Sequence, residues 1–175
     1  MIRLGVEEDF SVIDSLRKTE GSSLGFIPKD VYLSVLGRRR VHERDRWKYS
    51  DIYIYTDNGD VTGFIYYTYF GDICKIEQIV VREDARRWER ATALEQLARN
   101  AAKLHGKTGI KCRVAYDLEA NYFWRAIGYV PQKKVISTWL NQRESKSKRP
   151  LFIYFLDLGL PLFKEEGNKI ILDKN

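Results

Sequence analysis

Apolar and polar positions follow two rhythms along this chain. Residues 51–56 alternate strictly, Asp-Ile-Tyr-Ile-Tyr-Thr, which is the period of a half-buried strand. Residues 61–70 and 73–81 are nearly continuous apolar runs parted by Gly71-Asp72, and they predict two strands joined by a tight turn. Asp57-Asn58-Gly59-Asp60 predicts a hairpin turn with asparagine or glycine in the left-handed region. Helical spacing predicts helices over 10–18, over 28–36 with Pro28 in the first turn, and over 85–105. The last carries its stripe at Ala91, Leu94, Leu97, Ala98, Ala101 and Leu104. Further strands are expected at 2–6, 109–116, 129–140 and 151–158, and a short helix at 118–126. No internal repeat is evident. Residues 1–158 read as one domain, and 159–175 as a tail with a short strand at 169–172. Antiparallel hairpins leading into a β-α-β segment place the chain in the α/β (α+β) class. The expected sheet is mixed, mostly antiparallel, six- to seven-stranded and flanked by helices. Strands 73–81 and 109–116 should be parallel neighbours in its centre, joined by a right-handed crossover and splayed at their C-terminal ends.

A chain of 175 residues buries a sizeable core without staples. Cys74 and Cys112 each sit in an apolar strand-like run and read as small buried side chains rather than as a disulfide or metal pair. No His/Cys cluster has metal-ligand spacing, so no metal is expected. Neither a secretory leader nor a membrane-length apolar run is present, which predicts a cytoplasmic protein without a membrane partner. The net charge of +6 and pI of about 9.2 are concentrated locally. Residues 37–48 hold six basic residues, Arg38, Arg39, Arg40, Arg44, Arg46 and Lys48, against two acidic ones. Residues 143–149 form a second basic block. Such blocks suit phosphates, and Trp47 or Tyr49 could stack on a base. Solvated loops and aromatics covering the core edge are the other readings of the same residues.

The junction at 76–94 is the most informative local feature. An apolar strand ends at Val81, an arginine-rich turn follows, and a helix opens. A helix N-terminus presents unpaired N–H groups and the positive end of the helix dipole, which suits a pyrophosphate. Arg86, Arg87 and Arg90 add full charges there.

This stretch resembles the coenzyme A signature of the GNAT superfamily, Val-x-Pro-x-x-Arg-Gly-x-Gly-x-Gly/Ala. Val81, Arg86 and Ala91 match it. Glu83 stands at the usual proline, Arg87 at the first glycine and Glu89 at the key glycine. Downstream, Asp117-Leu-Glu-Ala-Asn-Tyr-Phe-Trp-Arg-Ala-Ile-Gly-Tyr resembles the second family signature, Asn-x-x-Ala-x-x-Phe-Tyr-x-x-x-Gly-Phe, through Ala120, Phe123, Gly128 and Tyr129. Asp117 replaces its asparagine and Trp124 its tyrosine. The element order is that expected of the GNAT fold, and the resemblance covers residues 1–140.

The resemblance implies an acyl-CoA-dependent N-acyltransferase, with acetyl-CoA or another acyl-CoA as cofactor and direct attack by an amine. It implies that backbone groups of Ile79, Val80 and Val81 meet the pantetheine arm. Arg86, Arg87, Trp88, Glu89, Arg90 and Ala91 would surround the pyrophosphate, with Asp117, Phe123 and Trp124 beside the cofactor. Glu77 is the expected base, since a buried glutamate has a raised pKa suited to proton abstraction; a salt bridge or a solvent-facing edge is the alternative. Trp124 cannot protonate a thiolate, so Tyr116 becomes a candidate donor. Asp117 is either a helix N-cap or a group that binds the amine. The chain is also similar to Mom-type phage proteins, GNAT-like enzymes that hypermodify adenine in DNA. Three readings follow: transfer to a small-molecule or macromolecular amine, DNA modification, and a non-catalytic nucleic-acid-binding module. In the last two, DNA is the partner and Arg38, Arg39, Arg40, Arg44, Arg46, Trp47 and Lys48 bind it. The oligomeric state is not legible.

Overall fold

The structure is a computed structural model and describes residues 1–19, 24–39, 46–86, 89–136, 149–159, 163–166 and 169–172. Strands are β1 (Ile2–Leu4), β2 (Ser50–Asp57), β3 (Asp60–Phe70), β4 (Ile73–Val81), β5 (Gly109–Ala115), β6 (Val130–Ile136), β7 (Pro150–Asp157), β8 (Phe163–Glu166) and β9 (Lys169–Leu172). Helices are α1 (Phe10–Thr19), α2 (Lys29–Leu36), α3 (Arg90–Leu104) and α4 (Ala120–Ala126). Seven strands form one sheet in the order β1-β2-β3-β4-β5-β7-β6, and β8 pairs with β9 alone. Among the described strands only β4 and β5 pair in parallel. The expected mixed, mostly antiparallel sheet is therefore present.

Two packed layers hold the sheet. On one face α3 and α4 bury Leu94, Ala98, Ala102 and Trp124 against Ile65, Ile76, Ile110 and Tyr154. On the other, α1 and α2 bury Ile13, Val31, Tyr32 and Val35 against Ile52, Ile54, Phe64 and Val80. Each such aliphatic side chain contributes roughly 1.5–3 kcal/mol on burial.

Two departures from regular pairing shape the centre. Pairing of β4 with β5 runs from Ile73↔Gly109 to Ile76↔Cys112 and stops there. Beyond it β4 stays with β3 and β5 with β7, so the two parallel strands part at their C-terminal ends as expected. At the same level β4 is bulged: Tyr66 faces Gln78 and Tyr67 faces Ile76, leaving Glu77 as the extra residue. A bulge puts two successive side chains toward one face. Glu77 meets Thr68 and Gln78 meets Tyr32 of α2, both on the α1/α2 side.

Several boundaries differ from expectation for local reasons. The long helix starts at Arg90, not 85, because Glu83–Ala85 is a single 3-10 turn, Arg86 is extended and Glu89 is left-handed at φ 59°. Pro28 stands just before α2 with extended ψ rather than inside its first turn. Asp117 does not cap α4; the helix opens at Ala120 after Glu119. Of the expected strand 129–140, residues 130–136 are extended and 137–140 lie outside the described residues. The tail strand has its partner in Phe163–Glu166.

Candidate active site

A cavity of about 660 Å³ opens where β4 and β5 part. Its β4 wall runs from Ile76 through Glu77, Gln78, Ile79 and Val80 to Val81, and its β5 wall is Cys112, Arg113 and Val114. From the α3 side it is closed by Ala85, Arg86 and residues 89–92, and from α4 by Phe123 and Trp124. Leu24 and Gly25, in the connection between α1 and α2, close the opposite side. The cavity thus reaches both faces of the sheet through the splay.

The N-terminus of α3 forms one end. Its first intrahelical bond is donated by Ala93 N–H to Glu89 O at 2.8 Å, so helix geometry leaves the N–H groups of residues 90–92 without an intrahelical acceptor. Arg86 is exposed and donates through Nε to Val81 O at 3.2 Å. Arg90 is spent on structure: its Nε reaches Asp57 Oδ2 at 2.6 Å, its Nη1 reaches Ala85 O at 2.8 Å, and its guanidinium covers Tyr55. It ties the turn after β4 to the hairpin turn between β2 and β3. The Arg90 and Thr62 hydrogen bonds hold the Asp57 carboxyl below the usual carboxylate range. Ala91 sits at the cavity with a side chain small enough for close approach. Glu89, where the GNAT signature has glycine, adopts the left-handed backbone that glycine favours. Arg87 and Trp88 lie outside the described residues.

At the seam, Glu77 accepts from Lys75 Nζ at 2.7 Å and from Thr68 Oγ1 at 3.1 Å. The expected alternative of a salt bridge is present, to Lys75, and the carboxylate also lines the cavity. Gln78, which sequence reasoning passed over, is 3% exposed. Its Oε1 accepts from Tyr32 OH and its Nε2 donates to Gly25 O at 2.7 Å, which latches the 24–25 wall and α2 to the bulge. A glutamine inside an apolar strand was its sequence signal. Asn121 was also missed. Its Nδ2 donates to Ala115 O, Tyr116 O and Leu118 O, and its Oδ1 accepts from Tyr154 OH, fixing α4 to the end of β5.

Trp124 is buried, in edge contact with Phe123 and Tyr129. Tyr116 and Asp117 stand outside the cavity lining. Tyr116 is half exposed against Phe152 with Lys134 over its ring, and Asp117 is paired with Arg149 at 2.9 Å. In the first basic block, Arg38 pairs with Asp51 and Arg39 with Glu7. Lys48 and Tyr49 are exposed, whereas Arg40, Arg44 and the side chains of Arg46 and Trp47 lie outside the described residues. Of the second block only Arg149 is described.

Glu95 is buried, and burial pushes its carboxyl up against the pull of Tyr129 OH at 2.8 Å and of Arg99. Cys74 and Cys112 are free and buried, which raises their thiols, Cys74 to about 12. Among the described residues no metal-binding group of His, Cys, Asp or Glu occurs, and no helix is long and apolar enough to cross a membrane.

No family model matches the sequence, and no curated protein matches it. Solved structures do match. Ard1 from Thermoplasma volcanium superposes with a TM-score of 0.71 at 18% identity, over 90% of this chain and 96% of that one. The ribosomal-protein-alanine N-acetyltransferase from Brucella melitensis gives 0.70 at 12% identity, over 90% and 99%. A streptothricin acetyltransferase from Bacillus anthracis, solved with acetyl coenzyme A, gives 0.56 at 22% identity over 62% of each chain. At these identities the likeness establishes the fold, and the fold is that of the GNAT N-acetyltransferases.

Proposed function

We propose, from the GNAT fold and the cavity it opens, that this chain transfers an acyl group, acetyl in the simplest case, from a coenzyme A thioester to a primary amine. One observation carries the reading: the parted strands open one cavity to both faces of the sheet, with an anion-suited helix N-terminus on one side and a carboxylate at the seam. The residues present fit the cofactor. The edge of β4 at 79–81, freed from β5, offers backbone groups to an amide-bearing arm. Arg86 and the N–H groups of 90–92 suit a pyrophosphate. The bound thioester would supply the activated carbonyl.

The chain's own part is to bring the amine to the opposite side of the splay and to manage its proton. Glu77 accepts that proton, directly or through a water, while Lys75 and Thr68 hold its carboxylate in place. With the thioester bound, the amine nitrogen would bond to its carbonyl carbon as the C–S bond breaks; Tyr116 lies outside the cavity, so solvent would protonate the departing thiolate. Small-molecule and protein amines both remain acceptors; the structures that share the fold include a streptothricin acetyltransferase and a ribosomal-protein-alanine N-acetyltransferase. In the first basic block, Arg38 and Arg39 are engaged by Asp51 and Glu7, which lends no support to DNA as the partner of that block.

The test is calorimetric titration with acetyl-CoA together with thiol release in the presence of amines. Arg86→Ala should weaken acetyl-CoA by at least about tenfold, because a charge-assisted hydrogen bond contributes roughly 1.5–3 kcal/mol. Native protein without affinity for acetyl-CoA would remove the proposal.

A further inference from the structure

Among the described residues, Arg113 and Lys111 of β5 and Lys133 of β6 have no acidic partner. Arg113 is the first residue of β5 beyond its last pairing with β4; it lines the cavity and is exposed. Among the described residues it has neither an ion-pair nor a hydrogen-bond partner, whereas Arg90, Arg99 and Arg149 are bound to Asp57, Glu95 and Asp117. Directly opposite Arg113 on β7 is Ile153, and opposite Ile153 on β6 is Lys133. Antiparallel partners share a face, so these three form one row, about 10 Å from end to end at normal strand spacing. Lys111, two residues back on β5, lies on the same face opposite Phe155. Between the cations the floor is apolar and partly buried: Leu151, Ile153 and Phe155.

Strands β5 and β6 contain no acid, and the one acid of β7 is Asp157 at its end. Glu77, the nearest carboxylate on β4, already holds Lys75. The buried residues that α1 and α2 pack against come from β2, β3 and β4, not from β5 to β7. As far as the described residues form it, the face is therefore an apolar floor in a positive field, continuous with the cavity mouth.

We propose that the acceptor is an acidic peptide. Its N-terminal amine enters the cavity toward Glu77, and the acidic side chains that follow lie across β5, β7 and β6 on Arg113, Lys133 and Lys111. This assignment rests on the acyl-transfer reading of the cavity. An extended chain rises about 3.3 Å per residue, so the row spans three residues of such a peptide. A nucleic-acid strand would want aromatic platforms. The floor is mainly aliphatic, and its one ring, Phe155, lies over Gly109, where an added Cβ would collide with the ring.

The experiment measures anisotropy of four labelled probes on the full chain. They are a hexapeptide with a free amine and acidic residues after it, its Asn/Gln counterpart, its Lys counterpart, and a single-stranded DNA hexamer. The acidic peptide should bind at least about tenfold tighter than the amide peptide, with the gap closing as salt rises. The double variant Arg113→Glu, Lys133→Glu should reverse the preference toward a basic peptide, a gain that an unfolded chain cannot show. Equal affinity for acidic and amide peptides, or tighter binding of DNA than of the acidic peptide, would overturn the proposal. Acetyl-CoA titration of the same sample separates the two readings: an acidic preference without acetyl-CoA affinity would remove the transfer reading and leave this surface standing.

Discussion

Replacing Glu89 tests the backbone and the charge of the candidate cofactor site separately. Glu89 is left-handed, at φ 59° and ψ 4°, directly before α3, and it lines the cavity. That basin costs a residue with a Cβ about 1–2 kcal/mol. Glycine is free of this cost, but its wider freedom in the unfolded chain takes back roughly 0.5–1 kcal/mol. The carboxylate at the helix N-terminus contributes about 0.3–1 kcal/mol, which either Gly or Ala loses. Glu89→Gly should therefore stay within about 1 kcal/mol of the native chain, and Glu89→Ala should be the less stable variant. Their difference, roughly 0.5–1 kcal/mol, corresponds to about 2 °C in Tm by scanning calorimetry for a chain of this size. Charge acts on binding instead. A carboxylate about 6 Å from a pyrophosphate, in a medium between surface and bulk water, repels it by roughly 1 kcal/mol. Both variants should then bind acetyl-CoA about fivefold tighter in calorimetric titration. An Ala variant as stable as the Gly variant would refute the strain argument. Weaker acetyl-CoA binding in both would show that Glu89 supports the cofactor.

Gln78→Leu should cost about 1–3 kcal/mol, since Tyr32 OH and Gly25 O lose a buried partner, and should raise the acceptor KM while leaving acetyl-CoA affinity unchanged; a weakened acetyl-CoA affinity would refute its placement on the acceptor side. Asp57 has its pKa lowered by hydrogen bonds from Arg90 and Thr62, so its contribution to stability is full above the unfolded value of about 3.9 and is lost as pH falls through the folded one. Melting curves across that acidic window should show Arg90→Met less stable than the native chain at neutral pH and converging with it in acid; parallel curves would assign the loss to packing on Tyr55 instead.

Strands and their order were legible because period-two alternation and the Gly71-Asp72 and Asn58-Gly59 turns are local signals. The parting of β4 and β5 followed from the β-α-β order and the family resemblance together. The bulge at Glu77 was not legible: an extra residue in Ile-Glu-Gln-Ile reads as plain alternation until β3 is laid beside it. The onset of α3 was misplaced for a related reason. No glycine or proline in residues 85–89 marks a helix boundary, yet Ala85 ends a 3-10 turn, Arg86 is extended and Glu89 is left-handed. Asp117 looked like a cap by position, yet Arg149, far along the chain, takes its carboxylate while Asn121 supplies the local hydrogen bonds. Partner choice among charged side chains depends on which loops meet, and sequence spacing does not carry that.

The parting of β4 and β5 also creates two strand edges inside the molecule. An unpaired edge is a template for any stray strand, and most proteins keep such edges at the periphery and blunt them with charge. Here the edges are walled by α3, α4 and the 24–25 segment, and they carry Glu77 on one strand and Arg113 on the other. Unlike charges on opposing lips would admit a polar visitor while making a purely hydrophobic strand a poor guest. The gap proposed as the active site is thus also a point of vulnerability to self-association, and the charges that flank it serve as gatekeepers.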